Sequence, residues 1–316
     1  MRALNLRMVA GALGLAAFAT ATQASAFCRT FSCDPSKSTC ARDTRDPSCS
    51  AGGKPLFWPV SCVSFSLQKD ASKAQGITFE KFQTIADQAF TSWQEVDCGG
   101  GQKPSLKFSD YGAVSCDKHE YNQGKVDSGG KVTEPAQGNA NILVFRDQKW
   151  PYEGTSNTLA LTTLTFNVES GEIYDADMEI NGVKGEVTVT TSDTDAKVDL
   201  LSVLTHEAGH FIGIAHSSDT AATMFATYTP GTVDLRSLTA DDVNAVCSIY
   251  PPNRANLPTC DPTPRHGYLT ECASQLDTVD ACGCRVAGGD STRPVGLPGF
   301  ASLVLGALFV ARRRRR

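Results

Sequence analysis

The feature that most constrains this chain is a run of eleven residues that holds three of its five histidines. The run begins with His206 and Glu207, continues to His210, and ends at His216. On an α-helix, residues four positions apart share one face, about 6 Å apart along the axis, so His206 and His210 can converge on one ion. Glycine at 213 permits a backbone conformation that is costly for other residues, so the helix can end and the chain can return. The spacing therefore predicts a site with three histidine ligands.

Zinc fits this set of ligands, because imidazole nitrogen suits a borderline-soft cation. Three protein ligands leave a fourth position for water, as in catalytic zinc sites. Bound zinc lowers the pKa of that water to about 7. Glu207 follows the first histidine and can accept the proton, then deliver it to a leaving amine. We therefore expect one catalytic Zn²⁺ and hydrolysis of internal peptide bonds in protein or peptide substrates. The alternative is a helix that carries ordinary surface or core histidines.

The two ends of the chain indicate export. Residues 1–26 combine early arginines, an apolar run and the small triplet Ala24-Ser25-Ala26, which is typical of a cleaved secretory signal peptide. Val295–Ala311 is apolar or small throughout, and five arginines follow it. Residues 295–316 thus predict a membrane helix with its positive end in the cytoplasm, or alternatively a buried C-terminal helix. We expect the catalytic part outside the cell, at the cell surface or outer membrane or in the extracellular medium.

Charge and cysteine content narrow the class further. The net charge is -5 and the pI is near 5.6, and the only dense basic run is the five terminal arginines. Because binding to nucleic acid needs a clustered basic face, no nucleic-acid partner is expected. Twelve cysteines in an exported chain predict disulfides of unknown connectivity. Residues 27–54 form a Cys-rich segment, and residues 253–294 form a polar, Cys-containing stalk. The catalytic domain is expected between them, at residues 55–252.

Apolar periodicity predicts a mixed α+β fold for this domain. A half-buried strand is expected within Leu56–Leu67, and an amphipathic helix after an N-cap at Thr78. Two more helices are expected at Val198–Gly209 and Leu238–Tyr250. Further strands are expected at Ser105–Phe108, Asn141–Phe145, Leu159–Asn167 and Ile173–Ile180.

The full pattern HExxHxxGxxH resembles the extended zinc motif of the metzincins, and the residues after it are similar to those of the matrixins. The similarity rests on Ser217-Ser-Asp219, Thr223-Met224 and the Leu238-Thr-Ala-Asp-Asp-Val stretch. It is close over residues 206–250 and looser between about Leu56 and Gly185. The resemblance implies a metzincin-type α+β domain with a twisted mixed sheet, an active-site helix and a C-terminal helix.

The resemblance also implies roles for single residues. Met224 would be the Met-turn residue that lies beneath the metal without binding it; a buried core methionine is the alternative, and the two are compatible. Tyr228 would form an aromatic wall of the substrate pocket or, as in other metzincins, a phenolic partner of the transition state; simple packing is the alternative. Position 226 is Ala where the family usually has Pro, which leaves the pocket outline open. Asp219 would steady the turn after the third ligand, or be a solvated aspartate of the loop.

Other metal sites are also considered. The stretch from Asp175 to Glu179 alternates acidic and apolar residues, which favours a plain strand and leaves Ca²⁺ binding as an alternative. Matrixins carry a second, structural zinc held largely by histidines. Because only His119 and His266 lie outside the motif, we do not expect that zinc here.

The C-terminal region resembles the tripartite sorting tails of myxobacterial surface proteins. It combines Cys282-Gly-Cys284, a spacer, an apolar run and five arginines. The resemblance implies C-terminal sorting or membrane machinery as a partner, with recognition and cleavage near the two cysteines.

Two other functions are open. One is a non-catalytic, zinc-stabilised surface adhesion or interaction module, which the presence of Glu207 disfavours. The other is hydrolysis of a non-peptide amide. An edge strand at Ile173–Ile180 beside the zinc helix would instead suit an extended polypeptide.

Overall fold

A computed structural model of the 316-residue chain describes residues 26–33, 40–44, 46–118, 121–122, 124–128, 131–134, 138–152, 158–184, 188–271 and 303–306. The helices are α1 (Phe79–Gln94), α2 (Leu200–Phe211), α3 (Ala240–Ile249) and a short 3-10 helix at Asp234–Arg236. The strands are β1 (Cys28–Arg29), β2 (Cys62–Gln68), β3 (Lys107–Val114), β4 (Lys125–Val126), β5 (Val132–Glu134), β6 (Ile142–Arg146), β7 (Thr158–Phe166), β8 (Ile173–Asn181), β9 (Val189–Thr190), β10 (Val198–Asp199), β11 (Ile214–Ala215), β12 (Thr227–Tyr228) and β13 (Leu303–Gly306).

Seven strands form the main sheet, in the order β12-β13-β7-β8-β6-β2-β3. Four adjacent strands, β3, β2, β6 and β8, are parallel to one another. Strand β7 runs antiparallel to β8. Helices α1 and α2 pack on this sheet and on each other. The expected α+β class is confirmed.

The predicted helices are confirmed with small shifts of their ends. Thr78 caps α1, and its side chain accepts a hydrogen bond from the backbone N–H of Lys81 at 3.3 Å. Phe90 of α1 stacks on Phe65 of β2 with ring centroids 4.2 Å apart, and it meets Phe211 of α2 edge-on at 5.1 Å. These ring contacts join both helices to the sheet in one apolar core.

The predicted strands correspond to β2, β3, β6, β7 and β8, but two expectations about them are wrong. Strand β2 is buried on both faces rather than half-buried, since Ser64 and Ser66 are each 1% exposed. A second, small apolar cluster built on Val114, Ile142 and Val144 covers the sheet on the side away from the helices. The segment Ile173–Ile180 is not an edge strand either, because β8 pairs with β7 on one side and with β6 on the other.

Disulfides tie the flanking segments to the domain. Within residues 27–54 the bonds are Cys28–Cys49 and Cys33–Cys40, while Cys62–Cys260 and Cys98–Cys247 join distant parts of the chain. The described part of the expected stalk, residues 253–271, lies against the domain: Tyr268 packs edge-on against Tyr111 with ring centroids 4.9 Å apart.

The expected C-terminal membrane helix, and the membrane-anchored location that depends on it, are contradicted. In the part of the chain that the structure describes, no helix has the length and apolar character needed to cross a membrane. Residues Leu303–Gly306 of the apolar run form strand β13, which pairs with β12 and β7. Residues 1–25 of the predicted signal peptide, residues 282–284 and the terminal arginines lie outside the described residues.

Candidate active site

Helix α2 carries the first part of the histidine motif, and both of its ends are fixed by side chains. Asp199 caps its start by accepting a hydrogen bond from Ser202 N at 2.8 Å, and Arg236 donates to both oxygens of the Asp199 carboxylate. Near its end, Trp58 Nε1 donates to the carbonyl of Phe211 at 2.9 Å. Trp93 Nε1 donates to the carbonyl of Thr205, one residue before the motif begins, at 2.8 Å. Indole and guanidinium groups thus set the position of the helix.

The turn after α2 brings the third histidine back, as the glycine predicts. Gly213 has a φ of +86°, and a Cβ there would lie 2.8 Å from the carbonyl oxygen of Leu56. The next residues form β11, which pairs with β1 through Cys28 opposite Ala215. The Cys-rich N-terminal segment therefore supports the strand that leads directly into His216.

The three histidines converge through their Nε2 atoms. His210 Nε2 lies 3.1 Å from His206 Nε2 and 3.2 Å from His216 Nε2. His206 Nδ1 lies 2.7 Å from the carbonyl oxygen of Thr223, and His210 Nδ1 lies 2.8 Å from that of Ile214. A carbonyl oxygen only accepts, so each Nδ1 carries the proton and each Nε2 presents a lone pair.

Converging lone pairs are the arrangement that a cation requires. Two nitrogens bound to tetrahedral zinc at roughly 2.0–2.1 Å lie about 3.3 Å apart, close to the observed spacing. Burial lowers the pKa of His206 to about 3, and it also lowers the pKa of His210, with the neighbouring His216 acting in the same direction on both. The neutral, ligating form of the rings is therefore favoured, and the residues fit zinc.

Glu207 lies on the same helix and is fully buried. Its Oε2 accepts a hydrogen bond from Thr162 Oγ1 of β7 at 2.6 Å. Its Oε1 is buried and has no hydrogen-bond partner among the described residues. Burial raises the pKa of the Glu207 carboxyl to about 8, and the bond from Thr162 opposes that shift. One carboxylate oxygen is thus held by the protein and the other is left for a non-protein partner.

Comparison with known proteins agrees with this geometry. The family model described as matrixin matches residues 57–251. The chain belongs to the matrixin family. Matrixins are zinc metalloendopeptidases at the family level. The matched segment covers six of the seven strands of the main sheet, the helices α1, α2 and α3, and the whole histidine motif.

Three relatives illustrate the similarity. Metalloendoproteinase 1-MMP of Arabidopsis thaliana is 34% identical over 107 residues, which cover 33% of this chain and 26% of the relative. Interstitial collagenase A of Mus musculus is 33% identical over 124 residues, with 38% and 24% covered. Matrilysin of Homo sapiens is 30% identical over 118 residues, with 36% and 41% covered. The chain thus spans less than half the length of each of these matrixins.

Met224, which the sequence predicts to be the Met-turn residue, packs against α2 at Gly209. A Cβ on Gly209 would be 2.2 Å from Met224 Sδ, so the helix and the turn touch at a position that only glycine allows. Asp242 of α3 holds the turn by accepting hydrogen bonds from Thr223 N at 2.8 Å and Met224 N at 3.1 Å. The Thr223 carbonyl, which accepts a hydrogen bond from His206 Nδ1, belongs to the same turn. The position of Met224 agrees with a supporting role, which stays a prediction.

Three residues that the sequence analysis did not single out contact this site. Asp242 holds the Met-turn, and Thr162 binds Glu207. Asp241 accepts from Ser217 Oγ at 2.7 Å, next to His216, and from the backbone N–H of Phe27 at 3.0 Å. The Thr239-x-x-Asp242 spacing was a signal for the cap of α3, but nothing local indicated that its carboxylate also reaches the Met-turn.

The remaining predicted residues have identifiable places. Tyr228 is buried, and its hydroxyl accepts from Asp199 N at 3.0 Å and donates to the carbonyl of Thr232 at 2.6 Å. The hydroxyl is therefore engaged with the backbone, and the pocket-wall role stays a prediction. Asp219 accepts from Ala221 N at 2.9 Å, as expected of a residue that steadies the turn.

The acidic stretch from Asp175 to Glu179 lies within β8, which agrees with the plain-strand interpretation. Asp177 accepts a hydrogen bond from Ile142 N at 2.8 Å. Calcium binding there stays a hypothesis. Among the described residues, one other cluster has metal-ligand spacing, Cys28, Asp46 and Cys49, but its two cysteines are joined in a disulfide.

Proposed function

We propose that the protein is a zinc-dependent endopeptidase whose catalytic domain spans about residues 55–252. His206, His210 and His216 would hold one zinc ion, and Glu207 would serve as general base and acid. The observation that carries the proposal is the convergence of the three Nε2 atoms, at 3.1 and 3.2 Å, beside a buried glutamate on the same helix. Membership of the matrixin family supports the same reading.

Each protein group has a distinct part in the proposed reaction. Bound zinc would acidify a water molecule and polarise the scissile carbonyl. The carbonyls of Thr223 and Ile214 fix the orientation and tautomer of two of the ligating rings. Glu207 Oε1 would take a proton from water and return it to the leaving amine. Burial raises the pKa of this carboxyl to about 8, close to the pH at which one group can both accept and return a proton.

An extended polypeptide is a better candidate substrate than a small amide. Strand β13 lies between β7 and β12, with Val304 opposite both Thr158 and Thr227. The edges of β7 and β12 therefore accept an added extended segment through main-chain hydrogen bonds, and β7 also carries the Thr162 contact to Glu207. A substrate strand bound along the same edge would bring its backbone close to the histidines.

The test compares casein cleavage by the purified protein with that of Glu207→Gln, and zinc content is measured for both. Glu169→Gln, a change at an exposed glutamate, is the matched control. We expect cleavage by the native and control proteins, a loss of at least a hundredfold in Glu207→Gln as general acid–base catalysis disappears, and about one zinc in all three. Chelation should abolish activity, and added zinc should restore it.

Two outcomes would count against the proposal. A native protein that binds zinc at full occupancy but cleaves neither casein nor a peptide library would favour a zinc-stabilised adhesion or interaction module. A native protein without zinc affinity would exclude the mechanism altogether.

A further inference from the structure

The side chain of Thr162 contacts Glu207 but takes no part in the proposed proton transfers. Thr162 lies in β7 and is fully buried. Its Oγ1 is 2.6 Å from Glu207 Oε2 and 3.3 Å from the Glu207 carbonyl oxygen. A hydroxyl has one proton to donate, and the shorter distance assigns it to the carboxylate.

This bond crosses between two elements that are far apart in sequence. Glu207 belongs to α2 and Thr162 to the neighbouring strand, 45 residues earlier. A glutamate side chain rotates about three bonds, so a helix alone does not fix where its carboxylate points. A donor on a packed strand adds the missing restraint, because strand β7 is itself held by β8 through a long antiparallel pairing.

The two carboxylate oxygens are thereby made unequal. Oε2 accepts from Thr162, whereas Oε1 is buried without a hydrogen-bond partner among the described residues. A buried carboxylate oxygen is costly to leave unpaired, so Oε1 is suited to a water molecule or a substrate group. Holding Oε2 on the strand determines the side of the carboxylate on which that partner must lie.

We propose that Thr162 is a positioning residue that orients Glu207, so that Oε1 faces the water to be deprotonated. This inference rests on the endopeptidase function proposed above. Thr162 does not touch the reacting atoms, and its effect is exerted through the glutamate. Because misplacing a reacting group by about 1 Å can cost about a hundredfold in rate, a restraint of this kind matters even though it makes no contact with substrate.

The test uses three variants of the full chain. Thr162→Val keeps the shape of the side chain but removes the hydroxyl, and Thr162→Ser keeps the hydroxyl. Thr163→Val is the matched control, because successive strand residues point to opposite faces and Thr163 is also buried. The measurements are kcat and KM on a fluorogenic peptide, zinc content, and the thermal unfolding of the zinc-free protein.

We expect Thr162→Val to lower kcat about 10- to 100-fold while KM stays within about twofold, because only the transition state uses the orientation. Thr162→Ser should recover kcat to within about threefold. Zinc content should be unchanged in all variants, and Thr163→Val should match the native protein. In a Glu207→Gln background, Thr162→Val should cause no further loss, since the two residues act as one unit.

Several results would overturn the inference. They are an unchanged kcat in Thr162→Val, no recovery with serine, or the same fractional loss in the Glu207→Gln background as in the native one. A crystal structure of the zinc-loaded native protein gives a readout that does not depend on activity. If the Glu207 carboxylate there is turned away from Thr162, the inference fails even when the endopeptidase proposal stands. If the bond is present but zinc-loaded protein cleaves nothing, the endopeptidase proposal fails and Thr162 keeps only its contact to the glutamate.

Discussion

Replacing Gly209 with alanine sets two physical effects against each other in the last turn of α2. Intrinsic helix propensity favours alanine over glycine by about 1 kcal/mol. Packing opposes the change, because the new Cβ would lie 2.2 Å from Met224 Sδ and 2.8 Å from Trp93 Cζ2. Comfortable carbon contacts begin at about 3.5 Å, so the shorter contact needs a shift of about 1.3 Å. Met224 and Trp93 are both fully buried, and Trp93 is also held by its bond to Thr205.

Packing should win in this competition. Overfilling a core costs about 1–3 kcal/mol, and a contact as short as 2.2 Å places this site in the upper part of that range, at about 2–3 kcal/mol. After the gain in propensity of about 1 kcal/mol, we expect a net loss of about 1–2 kcal/mol. For a domain of this size that loss lowers Tm by about 2–8 °C. The displaced Met224 should also move the Thr223 carbonyl, which accepts a hydrogen bond from His206 Nδ1. Because this bond orients the ring, zinc binding should weaken by up to about tenfold.

The assays are urea unfolding of the zinc-free protein and zinc titration with a competing chelator. A double-mutant cycle with Met224→Ala isolates the cause, because alanine at 224 removes the atoms that the new methyl group would strike. The penalty of Gly209→Ala should then fall by about 1–2 kcal/mol. A Gly209→Ala protein as stable as the native one, or a penalty that persists without Met224, would refute the reasoning.

Three further predictions concern how the domain is held together. Arg236→Ala should lower the free energy of unfolding by about 3 kcal/mol, because the Asp199 carboxylate stays fully buried without its guanidinium partner; urea unfolding that matches the native protein would contradict this. Removing the disulfide with Cys98→Ala and Cys247→Ala should lower the free energy of unfolding by about 2–5 kcal/mol, because this bond closes a loop with a sequence separation of 149. Thermal unfolding measures the change, and a loss below about 1 kcal/mol would show that this disulfide does not stabilise the domain. Val304→Pro should raise the rate of peptide hydrolysis, because proline has no backbone N–H to donate to β7 or β12 and the edge of β7 would be freed. Val310→Pro is the control. Equal rates in the native protein and both variants would show that β13 does not limit the access of substrate to β7.

The histidine cluster could be predicted from sequence because helix geometry alone brings His206 and His210 together. Gly213 then signals the turn that returns His216. The contacts of Asp241 and Asp242 could not be predicted in this way. Acidic residues are common in the first turn of a helix because they interact favourably with the helix dipole. Their presence there therefore does not indicate that they also make tertiary contacts. The contact of Thr162 with Glu207 could not be predicted either, because threonine is an ordinary residue of a buried strand.

The errors about the edge strand and about the C-terminal tail have a common physical origin. Local periodicity reports which residues are buried, but it does not report which neighbour a strand will have. Ile173–Ile180 is apolar enough for any position in a sheet, and only its pairing with both β6 and β7 makes it an interior strand. The apolar run at the C-terminus likewise fits either a membrane helix or a strand, and the partner available at the edge of β7 decides between them at Leu303–Gly306.

The proposed metal centre depends on backbone carbonyls as much as on the histidines. His206 is oriented by the Thr223 carbonyl, in the turn that Asp242 holds. His210 is oriented by the Ile214 carbonyl in β11, which pairs with β1. Each ring therefore relies on a different part of the chain, α3 in one case and the Cys-rich N-terminal segment in the other. Because a three-ligand site needs all its rings aligned at once, loosening either support should reduce zinc affinity while leaving every ligand in place. The histidine motif defines which atoms can bind, and the segments on either side of it determine how well they do so.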